Sequence, residues 1–242
     1  MHIICSDREE SLWLQERRKR ITASDLGTFM GSNPDWFSGD KESLLEEKRL
    51  NTERDFGPNG SNVAHGRFNE DNNLKKASVL FGLPVVPYHF LVGHERWPHL
   101  AATLDGLGMV DYLTPPDYSF AKSGTKYGRF DTLPQVLETR AELEQLSGVI
   151  IVEMKQTGSH IFKRKGERRS WVEELPKYLI PQLQCQMWLM GIPQCLIVGQ
   201  LGADNMTGYT VFRDSMWERI LDEVNAEAGR FLRGGSIDGV GF

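Results

Sequence analysis

The chain has only three cysteines in 242 residues, Cys5, Cys185 and Cys195. They are too few and too scattered for a disulfide framework or a four-thiolate zinc or iron–sulfur centre, and they fit a reducing compartment. No run of 18 apolar residues occurs, so no membrane-spanning helix is expected. The start, "MHIICSDREESLW", has a short apolar beginning and then charges, unlike a secretory signal, and a cytoplasmic location is expected. Repeats and low-complexity tracts are absent. Nor does one sign of charge dominate. The net charge is −5, which gives no global sign of a nucleic-acid partner. Local charge differs, because "RRKR" (17–20) and "FKRKGERRS" (162–170) are concentrated basic patches.

What is present reads as α/β, a mixed sheet flanked by helices, in one domain over residues 1–242. Helices are expected at 8–19, 41–50, 62–81, 171–190 and 214–232, the fourth broken or kinked near Pro176 and Pro181. "ITASDLGTFMG" (21–31) reads as a turn into a short helix, with Thr22, Ser24 or Asp25 as its N-cap. Strands are expected at 85–92, 100–104, 107–112, 148–156, 195–201 and 208–213. Residues 113–147 are long, polar and rich in Gly, Pro and Ser, an insertion or mobile segment before the strand at 148. Within them, 135–146 fit a helix or a strand equally.

The most informative stretch is "GVIIVEMKQTG" (148–158). Four apolar residues run into Glu153, Met154 and Lys155, and on a strand residues i and i+2 share a face. Glu153 and Lys155 therefore project together. An ordinary surface pair would look the same. However, the preceding run suits a central strand, a basic loop follows, and Asp105 in "AATLDGLG" lies where another strand ends. An Asp and a Glu from neighbouring strand ends, with a Lys beside them, suit a Mg²⁺-and-water site, since hard oxygen ligands hold Mg²⁺.

These residues resemble the restriction-endonuclease-like, PD-(D/E)xK nucleases, whose core is Asp…Glu-x-Lys. Four further segments, in order, are similar to the branch of phage lambda exonuclease and the YqaJ viral recombinases. They are "WLQERRKRITASD" (13–25), "HGRFNED" (65–71), "ATLDGL" (102–107, with Thr-Leu where the family has Ser-Pro) and "YLIPQLQCQMWLMG" (178–191). The resemblance implies a restriction-endonuclease-like mixed sheet core with a long insertion before the Glu-x-Lys strand. It implies that Asp105, Glu153 and the main-chain carbonyl of Met154 hold metal, that Lys155 orients or activates the water, and that Glu70 serves a second metal position or positions water. Arg17 and Ser24 correspond to a terminal-phosphate pocket, and Gln182 to a residue contacting the reacting phosphate region. The cofactor implied is Mg²⁺, with Mn²⁺ as substitute and two ions per site.

Plainer readings stand beside these. Glu70 suits a solvated helix face, Ser24 a simple cap, Arg17 a pair with a nearby Glu, and Gln182 and Gln186 a polar helix surface. Trp13 and Trp188 suit the core better than base stacking. His65 suits the surface, and His89, His94 and His99 suggest no metal site. The chain also departs from the family. Here 47 residues separate Asp105 from Glu153 where a short hairpin is usual, and Gln156-Thr157 stands where Cys-Pro commonly follows. The function implied is a metal-dependent exonuclease of phage recombination type, hydrolysing the 5′-ended strand of duplex DNA to leave a 3′ overhang. Implied partners are double-stranded DNA ends, a single-strand annealing protein and further copies of the chain in a ring trimer, in the cytoplasm of a bacterial host, with no membrane. The alternatives are a restriction-like endonuclease and a catalytically inert DNA-end binder.

Lys163, Arg164, Lys165, Arg168 and Arg169 fall within seven residues, directly after the Glu-x-Lys strand, and are expected to track a phosphate backbone. In Lys165→Ala/Arg168→Ala the slope of log K against log salt is expected to fall by roughly 0.9 for each duplex phosphate that is no longer neutralised. A slope equal to that of the unmodified protein would place the DNA elsewhere.

Overall fold

The computed structural model describes residues 1–33, 39–52, 60–118, 133–157, 175–201 and 205–232. The expected α/β architecture is present, but as two mixed sheets instead of one. The smaller sheet has the order β1 (His2–Ser6), β4 (Phe90–His94), β5 (Trp97–Thr103), β2 (Ile21–Thr22). The larger has the order β3 (Val85–Pro87), β6 (Gly106–Met109), β7 (Val149–Thr157), β8 (Gln194–Leu201), β9 (Asn205–Phe212). The chain leaves the first sheet at Thr103 and enters the second at Gly106, so Leu104 and Asp105 are the link between them.

β7 is central because both of its faces are apolar. Ile150, Val152 and Met154 enter a core with Leu74, Leu80 and Phe81 of α4 (Gly60–Phe81) and Val136 and Leu143 of α5 (Leu133–Leu143). Ile151 enters the other core, with Leu183 and Met187 of α6 (Ile180–Met190) and Leu221, Val224 and Ala228 of α7 (Met216–Leu232). Glu153 and Lys155 continue the row of Ile151, on the α6 side. β7 pairs antiparallel with β6 and parallel with β8, so the residues between β6 and β7 form an excursion that leaves the two strands adjacent.

Several expected boundaries move. The segment 85–92 is two strands in different sheets, β3 and β4, and β5 starts at Trp97. The short β1 was not expected. The strand expected at 107–112 ends at Met109 and continues as a 3₁₀ turn, Val110–Tyr112. Of the ambiguous stretch 135–146, residues 135–143 are helical, in α5, and the rest is the turn that follows it. Pro181 does not kink a helix; it sits in the first turn of α6, where a missing N–H costs nothing. Among the described residues the remaining α-helices are α1 (Glu10–Arg18), α2 (Leu26–Phe29) and α3 (Lys41–Leu50), the last with the expected limits.

α4 and α5 lie close on β9. Gly208 O accepts from Thr139 Oγ1 at 2.6 Å, and a Cβ on Gly208 would stand 2.6 Å from Phe81 Cζ. Phe81 is fully buried, so its ring has little room to retreat. Gly208→Ala is expected to cost about 1–3 kcal/mol through overpacking. The measurement is the urea midpoint at constant m-value, and an unshifted midpoint would show that the ring yields freely.

Candidate active site

Glu153 sits near the C-terminal end of β7 and is 2% exposed. A buried carboxylate needs donors. Lys155, two residues on, supplies Nζ at 2.6 Å from Oε1. α6 supplies two amides from residues one turn apart: Gln182 donates to Oε1, and Gln186 Nε2 donates to Oε2 at 2.8 Å. Gln186 Nε2 also reaches Thr103 O at 3.1 Å, tying β5 to the same centre. Glu153 is thus held by a cation and two amides.

Asp105 faces this group from the link between the sheets. Its Oδ2 accepts the main-chain N–H of Met154 at 2.7 Å. In an extended strand the C=O of a residue points to the same side as its N–H, so the Met154 carbonyl is turned toward Asp105 as well. Glu70, half-buried on α4, faces the same group and adds a third acid beside Asp105. Burial pushes the Asp105 carboxyl well up, the Glu153 and Glu70 carboxylates push it further, and Lys155 and the Met154 N–H oppose them. Burial and then the Glu153 carboxylate also raise Glu70. Burial alone would lower Lys155, but Glu153 and Asp105 outweigh it and hold the ammonium above its ordinary range.

Three acids against one ammonium crowd negative charge together, which is why the Asp105 and Glu70 carboxyls are raised. Hard oxygens with surplus negative charge are the donor chemistry of a divalent cation. Among the described residues no three His, Cys, Asp or Glu side chains converge closely enough to hold an ion alone. Mg²⁺ does not require that, since one or two carboxylates plus waters commonly suffice. Asp105 and Glu153, with the Met154 carbonyl, fit such a set.

A second polar group forms on α1 and the turn after it. Arg17 lies over the Trp13 ring, 4.4 Å from its centroid, and Nη2 donates to Ser24 Oγ at 3.2 Å. Trp13 is buried and donates Nε1 to Thr103 Oγ1 at 3.1 Å. Thr22 caps the turn. Of the expected site residues, the structure therefore gathers Glu70, Asp105, Glu153, Met154, Lys155 and Gln182 in one place, and Arg17 and Ser24 in another. Lys163, Arg164, Lys165, Arg168 and Arg169 lie outside the described residues, as does the side chain of His65.

A family model for the YqaJ-like viral recombinase domain matches residues 12–193. The chain belongs to this family. No curated protein matches the sequence. Two solved structures share the fold of this YqaJ-like chain at low identity. An alkaline exonuclease, LHK-Exo from Laribacter hongkongensis, has a TM-score of 0.59 at 14% identity over 92% of each chain. A phage-related exonuclease from Haemophilus somnus 129PT has a TM-score of 0.54 at 14% identity, over 88% of this chain and 93% of that one.

The YqaJ-like motifs did not disclose every contributor. Gln186 reads as surface in sequence but is fully buried against Glu153. The i, i+4 spacing from Gln182 was its signal. Lys48 forms a buried ion pair with Asp25 at 2.7 Å. Its signal was its place beside Leu44 and Leu45 on the inward stripe of α3. His89 lies between Asp7 and Asp71, 3.3 and 3.5 Å away, and no pattern in the sequence joins those three.

Because the Asp105 carboxyl is raised, the folded protein holds a proton there that the unfolded chain releases. Without metal, the contribution of this group to stability is then greatest in acid and falls as pH rises from the ordinary carboxyl range toward the raised value. Asp105→Asn removes that penalty and keeps an oxygen for the Met154 N–H. In EDTA at pH 7 this variant is expected to melt above the unmodified protein, by about 2–4 °C for each kcal/mol relieved, with the gap closing in acid. A lower melting temperature at pH 7 would show that the carboxylate is stabilising as it stands.

Proposed function

We propose that this chain is a metal-dependent deoxyribonuclease of phage recombination type, which removes nucleotides from the 5′-ended strand of duplex DNA. The observation that carries the reading is the convergence of Asp105, Glu153 and Lys155 at adjacent strand ends, with Gln182 over them, in a YqaJ-like fold. The alkaline exonuclease neighbour, itself also solved with dAMP, supports a nuclease. The resemblance extends the proposal to Mg²⁺ or Mn²⁺ as cofactor, two ions per site, a ring of three copies around the duplex, and a single-strand annealing protein taking the 3′ overhang. A phage-encoded protein acting in a bacterial cytoplasm fits it, and among the described residues no helix is long and apolar enough to cross a membrane.

In this reading each residue has a physical task. Asp105, Glu153 and the Met154 carbonyl would hold the cation, which supplies charge stabilisation at the phosphate and a more acidic bound water. Lys155, pinned by Glu153, keeps its ammonium where a water can be oriented and negative charge met. Gln182 presents its amide at the half-buried edge of the site, and Glu70 stands ready to position a water or a second ion. Arg17 offers a planar fork of donors, with the Ser24 hydroxyl, for the 5′-terminal phosphate.

The test is one gel series on 5′-phosphorylated, 5′-hydroxyl and covalently closed duplexes, with and without Mg²⁺. Linear DNA is expected to be degraded from its 5′ ends only with the metal, and the closed circle to survive. Asp105→Ala and Glu153→Ala should abolish cleavage but leave binding in Ca²⁺, and Lys155→Ala should slow turnover about 10²–10⁴-fold. Cutting of the closed circle would mean an endonuclease. Binding without cleavage under every condition would mean an inert end-binder.

A further inference from the structure

We infer that Lys48 and Asp25, a buried ion pair on α3 and the turn after β2, are positioning residues that preset Arg17 and Ser24 for a terminal phosphate. The inference rests on the phosphate pocket of the proposed function and names what holds that pocket in shape.

The geometry is a one-way relay. Asp25 Oδ2 accepts three donors: Lys48 Nζ at 2.7 Å, Thr22 Oγ1 at 2.7 Å and the Thr22 main-chain N–H at 2.9 Å. The Thr22 hydroxyl has a single proton, and the carboxylate takes it. In the 3.0 Å hydrogen bond between Thr22 Oγ1 and Ser24 Oγ, Ser24 must then be the donor. Ser24 Oγ in turn accepts from Arg17 Nη2. Each step of the relay from Arg17 inward thus points toward Asp25.

Lys48 fixes the other end of the same pocket. Its ammonium also donates at 3.0 Å to the main-chain carbonyl of Arg17, in the last turn of α1, which otherwise accepts the Arg20 N–H at 3.3 Å. One ammonium therefore sets both the backbone that carries Arg17 and the carboxylate that orders Thr22 and Ser24. Lys48, Asp25 and Thr22 are buried, whereas Ser24 is exposed and Arg17 half-buried. The device is hidden, and only the two anion-facing groups reach solvent. A cation placed inside merely for stability is expected to be replaceable by apolar side chains. This one is coupled to groups that face outward.

The test measures kcat and KM on duplexes with 5′-phosphate and 5′-hydroxyl ends. It uses the unmodified protein, Lys48→Arg and the double variant Asp25→Asn/Lys48→Met, which removes both charges and so avoids stranding a buried one. Thr22→Val cuts the relay while leaving the ion pair intact, and serves if the double variant does not fold. Folding is checked by melting temperature. In the double variant and in Thr22→Val, the preference for phosphorylated ends, as a ratio of kcat/KM, is expected to fall about tenfold. The loss should fall on KM for phosphorylated ends, with partial recovery in Lys48→Arg. A folded double variant or a folded Thr22→Val that keeps the full preference would overturn the inference alone and leave the ion pair a structural strut. Equal rates on both ends in the unmodified protein would overturn the phosphate pocket itself, and the inference with it.

Discussion

A carboxylate buried at the end of a central strand is costly unless donors surround it, and the burial of Glu153 organises much of this molecule. Its two oxygens require Lys155 on the same strand and two amides from α6. α6 must therefore lie on the Ile151 face of β7 with Gln182 and Gln186 turned inward. The apolar residues that achieve this, Leu183 and Met187, are interleaved with those glutamines and share a core with Ile151 and Ile197. Hydrophobic burial holds the helix against the sheet, and the amides fix which of its residues face the carboxylate.

Asp105 shows the opposite balance. It stands where the chain passes from one sheet to the other, a position that brings an acid toward Glu153 and Glu70. Burial and two neighbouring carboxylates press its carboxyl toward the protonated form. Three acids around one ammonium oppose folding by themselves, and their hard oxygens fit the cation proposed for this site.

The two candidate centres are joined by Thr103. Its main-chain oxygen accepts from Gln186, the residue that holds Glu153, and its hydroxyl accepts from Trp13, over whose ring Arg17 lies. A residue at the end of β5 thereby links α1 to the Glu-x-Lys strand through two hydrogen bonds. In the proposed exonuclease reading, the spacing between terminal phosphate and cleaved bond would need to be rigid, and this linkage is suited to provide that.

The pattern of residues alone determined the class of fold, most helices, and the pairing of Asp105 with Glu153 and Lys155, because these depend on local periodicity and on motifs whose order along the chain is itself specific. Position i to i+2 on a strand put Glu153 and Lys155 on one face whatever lay around them. A cap among Thr22, Ser24 and Asp25, and the limits of α3, followed equally from nearby residues. Tertiary structure decided the rest. The split into two sheets depends on where β5 releases the chain, and β1 is too short to announce itself without the β4 edge that pairs with it. Glu70 and Gln186 could be solvated or buried with the same helical neighbours, and only the approach of β7 made them part of the centre. Lys48 and Asp25 are 23 positions apart, and nothing in either segment names the other. Their pairing, like the approach of His89 to Asp7 and Asp71, joins residues far apart in sequence that only the fold brings together, and a one-dimensional pattern contains no term for it.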